Sequence, residues 1–113
     1  MVDWRYSCNI VQMTQAVTIR FFEFGIHLGT RVEGQIIREK ILSHLLEGHK
    51  VTFDLKGVEV VSNSFADECF AKLTLNFELP TIKSMTHFQN VSDFNRAVIA
   101  NSFRERLIQA HTS

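Results

Sequence analysis

The residues with the most chemical potential in this chain lie in the run SNSFADE, residues 62–68. Ser62 and Ser64 carry hydroxyl groups that can form hydrogen bonds or be phosphorylated, and Asn63 lies between them. Two carboxylates follow in the same run. One interpretation is structural, because such side chains cap free helix amides and acids near a helix start interact favourably with its dipole. This interpretation assigns the cap to Ser64 or Asn63.

A second interpretation makes the run an exposed recognition edge, in which Phe65, Asp67 and Glu68 join the three polar residues in binding a partner protein. A phosphate on Ser62 or Ser64 would fit the helix amides but would be repelled by the nearby acids, so modification could act as a switch. The acids also argue against a permanent phosphate pocket. No GxxxxGK[ST] or GxGxxG cradle is present, so no nucleotide or other cofactor is predicted.

Asp54 is a carboxylate within an apolar, strand-like stretch. We expect it to face the wetter side of the sheet or to bond nearby turn amides, because a buried carboxylate needs such partners. The alternative is a small enzyme or phosphate-ligand binder that uses Asp54, Ser62 and Ser64 at one edge. That alternative requires a base or a cation close to the serines.

The cysteines and histidines do not form a recognisable metal motif. Cys8 and Cys69 are far apart, and Cys69 lies on a predicted apolar stripe, which favours a buried, inert thiol. The histidines are scattered without i, i+4 spacing, so we expect surface side chains and no metal site; they are His27, His44, His49, His87 and His111.

The clearest element is a helix after a Gly-bracketed turn. Thr30 and Glu33 have the spacing of a capping box, which predicts a helix that begins at Arg31. Gly48 suits the residue at which the chain exits this helix. Its predicted core stripe is Val32, Ile36, Ile37, Ile41, Leu45 and Leu46, and its predicted outward side chains are Arg38, Glu39, Ser43 and Glu47.

The other segments alternate between strand and helix patterns. One or two strands are expected in residues 9–24, another in residues 51–55, and a short one in residues 58–61. A helix follows from Phe65 to Phe77, Pro80 closes that unit, and residues 81–88 are expected to form a strand. This order predicts an α/β fold, with a mixed sheet and helices mainly on one face.

Ser92 is expected to cap a terminal helix with a broad apolar band, Phe94, Val98, Ile99, Phe103, Leu107 and Ile108. Part of that band could form a homodimer interface.

The basic residues of the first and last helices are interleaved with acids, which is typical of a solvated surface with helix ion pairs; they are Arg31, Arg38, Lys40, Arg96, Arg104 and Arg106.

Length and charge limit the classes of function. The 113 residues are expected to form one domain, residues 1–113, with residues 1–8 as a candidate flexible N-terminal segment. Twelve basic and twelve acidic residues leave no net charge, so neither nucleic acid nor a membrane surface is an expected partner. The chain starts without a secretory signal pattern and carries no long apolar run, which predicts a cytoplasmic location. Its residues form no self-contained catalytic site, which predicts a non-enzymatic module.

The runs FGIHLGTRVEGQIIREKIL and VTFDLKGVEVVSNSFADECFAKL resemble the STAS-like domain family of unknown function. Members look like distant relatives of the STAS domains of sulphate transporters and anti-sigma factor antagonists. The matching pieces are Gly25, Arg31, Gly34, Asp54 and residues 64–68.

The resemblance implies a regulatory fold whose edge at the second helix docks a partner, such as an anti-sigma factor with a GHKL-type ATP-binding domain. Arg31 and Asp54 would then support that edge structurally. In the antagonists, the phosphorylated residue is the first Ser of an Asp-Ser-Ser-Gly run, and Asn63 stands at this position here, flanked by Ser62 and Ser64.

Overall fold

A computed structural model describes residues 15–112, with side chains as far as residue 109. Its strands are β1 (Ala16–Arg20), β2 (His27–Leu28), β3 (Lys50–Asp54), β4 (Val60–Val61) and β5 (Thr86–Gln89). Its α-helices are α1 (Arg31–Leu46), α2 (Asn63–Cys69), α3 (Leu79–Met85) and α4 (Asp93–Thr112). Short 3-10 helices span Phe21–Phe24 and Ala71–Leu75. No helix in this part of the chain is both long and apolar enough to span a bilayer.

The described strands form two small parallel sheets. The first has the order β1-β3-β5, with Phe53 of β3 beside Phe88 of β5. The second consists of β2 and β4, with Leu28 beside Val61. The α/β architecture of a STAS-like domain is therefore confirmed. Pairing within the described strands is parallel only, so the antiparallel part of the expected mixed sheet is not among them.

Local signals set both ends of α1 as the sequence predicted. The Glu33 amide donates to Thr30 Oγ1 at 3.1 Å, and the Thr30 amide donates to Glu33 Oε1 at 3.4 Å, which completes the capping box. After Leu46 the chain leaves through Gly48, whose φ of 83° favours glycine.

The buried face of α1 differs from the predicted stripe. Gly34, Ile37, Ile41 and Leu45 are buried, whereas half of the predicted stripe is exposed, namely Val32, Ile36 and Leu46. The buried arc is rotated because Gly34 faces α2. Arg38, predicted to point outward, lies on the same arc, and its side chain is only 15% exposed.

Residues 81–88 do not form the predicted strand. Leu79–Met85 is the helix α3, and only the following Thr86–Gln89 is extended. Pro80 lies in the first turn of α3 rather than closing the preceding unit, because a first-turn position needs no amide proton. Ile82 is the buried residue of α3.

The core is dominated by phenylalanine. Phe21, Phe53, Phe65 and Phe70 are fully buried, and their rings contact one another at centroid distances between 5.3 and 6.4 Å. Phe70 belongs to the segment after α2, where the helix predicted to continue to Phe77 ends at Cys69 and is followed by a 3-10 helix. The core therefore joins both sheets to the segment that carries α2.

The terminal helix begins as predicted. Ser92 Oγ accepts a hydrogen bond from the Asn95 amide at 3.1 Å. Ile99 is buried in the core, with Val98 and Phe103 packed against it, while Phe94 and Ile108 are exposed. Half of the six residues of the apolar band therefore pack in or against the core of the described residues.

Candidate functional site

The carboxyl ends of the parallel strands β2 and β4 lead directly into helices. β2 continues through Gly29 and Thr30 into α1, and β4 continues through Ser62 into α2. The Ser62 amide donates to Leu28 O at 2.9 Å, so the two exits lie side by side. In α/β proteins, ligands and partners commonly bind at such an edge. We call Ser62, Asn63 and Ser64 the α2 edge.

Ser62 is the helix cap, not Ser64 or Asn63 as predicted. Its hydroxyl accepts a hydrogen bond from the Phe65 amide at 3.0 Å and donates one to Gly29 O at 2.9 Å. The prediction was wrong by one or two residues because helical backbone begins at Asn63. Asn63 is exposed and Ser64 is partly exposed, and within residues 15–112 neither side chain has a hydrogen-bond partner.

The remaining predicted recognition residues lie deeper. Phe65 is fully buried in the aromatic core, and Glu68 is only 6% exposed. Asp67 has a side chain that is 19% exposed. In this conformation, direct contact with a partner is therefore open mainly to the α2 edge, and Phe65 and Glu68 support it from below.

Glu68 binds three cations. Its carboxylate accepts hydrogen bonds from Arg31 at 3.1 Å and Arg38 at 2.8 Å, both from α1, and pairs with Lys72 at 3.0 Å. Arg38 also donates to the backbone oxygen of Glu68. The predicted role of Asp67 and Glu68 at the helix dipole is wrong, because α2 begins at Asn63 and neither acid lies in its first turn.

Asp67 extends the same network to the terminal helix. It accepts a hydrogen bond from Arg31 at 2.8 Å and two from Arg106, at 2.6 and 3.1 Å. We call this network the acid clamp; it comprises Asp67, Glu68, Arg31, Arg38, Lys72 and Arg106. Contrary to the predicted solvated surface, Arg38 and Arg106 are drawn inward to α2 by these acids.

The clamp controls the ionisation of both acids. Burial raises the pKa of Glu68, but hydrogen bonds from Arg38, Lys72 and Arg31 outweigh it and lower that pKa to about 2. Burial likewise opposes ionisation of Asp67, and hydrogen bonds from Arg106 and Arg31 bring its pKa below the ordinary value. Both acids are therefore charged at neutral pH.

Gly34 allows α1 to approach α2 closely enough for the clamp. A Cβ at this position would lie 3.0 Å from Glu68 Cβ and 3.1 Å from Phe65 O. A side chain at this position would therefore require Glu68 or the backbone of α2 to shift slightly.

Asp54 bonds turn groups as expected. Its Oδ1 accepts from the Lys56 amide at 3.0 Å and from Asn90 Nδ2 at 2.9 Å. Both hydrogen bonds lower the pKa of Asp54, and the bond from Asn90 has the larger effect. Asp54 therefore acts as a turn acceptor in this structure.

Two surface cavities lie among residues 15–112, and neither of these two is lined by Asp54, Ser62 or Ser64. One, of about 490 Å³, lies between α3, β5 and α4 and is largely apolar. The other, of about 570 Å³, lies between β1 and α1.

Cys69 is fully buried as predicted, and burial raises the pKa of its thiol well above the usual value. Cys8 lies outside the described residues.

Asn95 is the structural residue that sequence reasoning missed. Its side chain is buried, accepts from the Val61 amide at 3.0 Å and donates to Glu59 O at 3.3 Å. It thereby fixes β4, the strand that delivers the chain to the α2 edge. The available signal was a short amide side chain three residues after the Ser92 cap, within an apolar band.

A family model described as "STAS-like domain of unknown function (DUF4325)" matches residues 33–95, more than half of the 113 residues. The match includes Gly34, Arg38, β3, β4, α2 and both acids of the clamp. Comparison with curated proteins found no match. Comparison with solved structures found none either.

Proposed function

This chain belongs to the family of STAS-like domains of unknown function, and from that premise we propose that it is a non-catalytic regulatory module that docks a partner protein through the α2 edge. The observation that carries the proposal is the exposed Asn63 between Ser62 and Ser64, at the carboxyl ends of β2 and β4. The acid clamp below it ties α2 to α1 and α4, so the edge is presented on a rigid support.

The partner class proposed from the family resemblance is a GHKL-type ATP-binding kinase or anti-sigma factor. Such a partner would dock on the first turn of α2 and reach a hydroxyl there. Ser64 is the better candidate for phosphorylation, because its hydroxyl has no hydrogen-bond partner within residues 15–112. A phosphate on Ser62 would break both the cap to Phe65 and the bond to Gly29.

The test is affinity capture from the native host with the wild-type chain and an Asn63→Arg variant. Asn63 is exposed, so the change should leave the fold intact and block docking through bulk and charge. Asn76→Arg is the matched control, because it makes the same change at another exposed asparagine. Loss of one captured protein with Asn63→Arg alone supports the proposal, and equal capture by all three chains contradicts it.

Phosphosite mapping by mass spectrometry on the captured chain tests the switch. Modification at Ser64, lost in Ser64→Ala, supports regulation at the α2 edge. Modification at Ser62 instead would mean that the cap opens before the kinase acts.

A homodimer through α4 and a cytoplasmic location stay predictions, which sedimentation and cell fractionation can check.

The small-enzyme or phosphate-binder alternative has less support. Asp54 is engaged by Lys56 and Asn90, and the Ser62 hydroxyl already makes two hydrogen bonds. Neither of the two cavities described above is lined by Ser62 or Ser64, where the alternative needs a base or a cation.

A further inference from the structure

His44 and His49, five positions apart in the sequence, lie close together at the carboxyl end of α1, away from the α2 edge. Glu47 follows the last helical residue, and Gly48 turns the chain so that the His49 amide donates to His44 O at 3.0 Å. The two rings then lie side by side, with centroids 5.5 Å apart and Nδ1 atoms 3.3 Å apart. Glu47 Oε1 lies 3.7 Å from Nδ1 of His49.

The spacing of these atoms matches a metal site. Two imidazole nitrogens bound to tetrahedral Zn²⁺ at about 2.0–2.1 Å are about 3.3–3.4 Å apart. A direct hydrogen bond between nitrogen atoms would more commonly be near 3.0 Å, and it would require one ring to carry its proton on Nδ1. One ligand atom from each of His44, Glu47 and His49 lies within 4.8 Å of the others.

The electrostatic surroundings also favour a cation. The carbonyl end of a 16-residue helix carries partial negative charge, and Glu47 adds a carboxylate. Lys50 is exposed nearby in sequence and opposes this in part. Imidazole nitrogen with one carboxylate oxygen suits Zn²⁺, Ni²⁺ or Cu²⁺ better than Mg²⁺ or Ca²⁺, which prefer oxygen ligands.

We propose that His44, Glu47 and His49 form a binding site for one divalent transition-metal ion, with Zn²⁺ the best match. The two histidines are partly buried and Glu47 is exposed, so the ion can enter from solvent. Three protein ligands leave the fourth tetrahedral position for water or another ligand. The sequence did not predict this site because i, i+5 spacing brings side chains together only where the helix ends and the chain reverses.

The test is isothermal titration of the full chain with ZnCl₂, comparing the wild type with His44→Ala, His49→Ala and the double variant. His87→Ala is the matched control, because His87 is exposed and outside the cluster. We expect one equivalent of Zn²⁺ to bind the wild type and the control equally. Each single variant should weaken binding at least tenfold, and the double variant should abolish that site.

A thermal melt gives a second measurement. Excess ZnCl₂ should raise the melting temperature of the wild type and of His87→Ala, but not that of the double variant, because only a ligand that binds the folded state stabilises it. Undiminished Zn²⁺ binding by the double variant, or no one-to-one binding by the wild type, would overturn the proposal. The partner proposal is unaffected by either result, since the two sites use different residues.

Discussion

The two halves of residues 62–68 carry similar polar side chains and serve different purposes. The first half, the α2 edge, lies at the surface with Asn63 exposed. The second half holds Asp67 and Glu68, which face inward to four cations. The difference shows that α2 exposes its first turn while the ion pairs of its second turn hold it to α1 and α4. Substitutions in the acid clamp and substitutions in the α2 edge should therefore have different effects, and comparing them tests the site most directly.

The largest effect is expected from Glu68→Gln, which removes the central charge of the clamp. A pKa lowered from 4.5 to about 2 corresponds to about 3 kcal/mol at roughly 1.4 kcal/mol per unit. Glu68 is only 6% exposed, so solvent screening of this contribution is small. Urea unfolding at neutral pH should show a loss of this size, whereas Glu105→Gln, an exposed residue of α4, should change little.

The same substitution predicts a defined pH dependence. Because folding lowers the pKa of Glu68, its contribution is complete above about pH 4.5 and is lost as pH falls through about 2. The gap in unfolding free energy between wild type and Glu68→Gln should therefore narrow across this window. A gap that stays constant from neutral pH to about pH 2 would show that packing, not charge, sets the effect.

A smaller loss, about 2 kcal/mol, is expected from Gly34→Ala. Alanine normally favours a helix interior over glycine by about 1 kcal/mol, so destabilisation would show that the contact with α2 wins. The added Cβ would meet Glu68 Cβ and Phe65 O at 3.0 and 3.1 Å. Gly29→Ala is the control, since a Cβ there meets nothing within 4 Å. A more stable Gly34→Ala would contradict close packing of α1 against α2.

The smallest effect distinguishes the two serines. Ser62→Ala should cost about 1 kcal/mol, because it removes the cap to Phe65 and the bond to Gly29. Ser64→Ala should leave the urea midpoint nearly unchanged, since its hydroxyl has no hydrogen-bond partner within residues 15–112. The opposite order would assign the cap to Ser64 and would move the start of α2 by two residues.

Local signals predicted much of this fold. The capping box of Thr30 and Glu33, the exit at Gly48 and the Ser92 cap depend on residues within four positions of each other. Apart from Lys72, which is four residues from Glu68, the cations of the acid clamp are 30 to 39 residues from their acids, such as Arg38 with Glu68 and Arg106 with Asp67. Charge interleaving along a helix cannot reveal those partners, because it describes neighbours in sequence and not in space.

The misread segments have a similar cause. Residues 81–88 combine β-branched and aromatic residues that suit a strand with apolar residues three positions apart that suit a helix, and Pro80 can either end a helix or begin one. Its position in the first turn of α3 became clear only from the packing of Ile82 into the core. The sequence likewise shows a glycine at position 34, but it does not show that this residue packs against α2.

Asn95 has a consequence for the outer edge of the small sheet. β4 pairs with β2 on one side, and its other side presents the Val61 amide and the Glu59 carbonyl. A side-chain amide has the same donor and acceptor as a peptide group, so Asn95 takes the place of a third strand. The helix thus occupies the outer amide and carbonyl of this edge, and covering an edge strand is one way in which proteins avoid strand addition by a foreign chain.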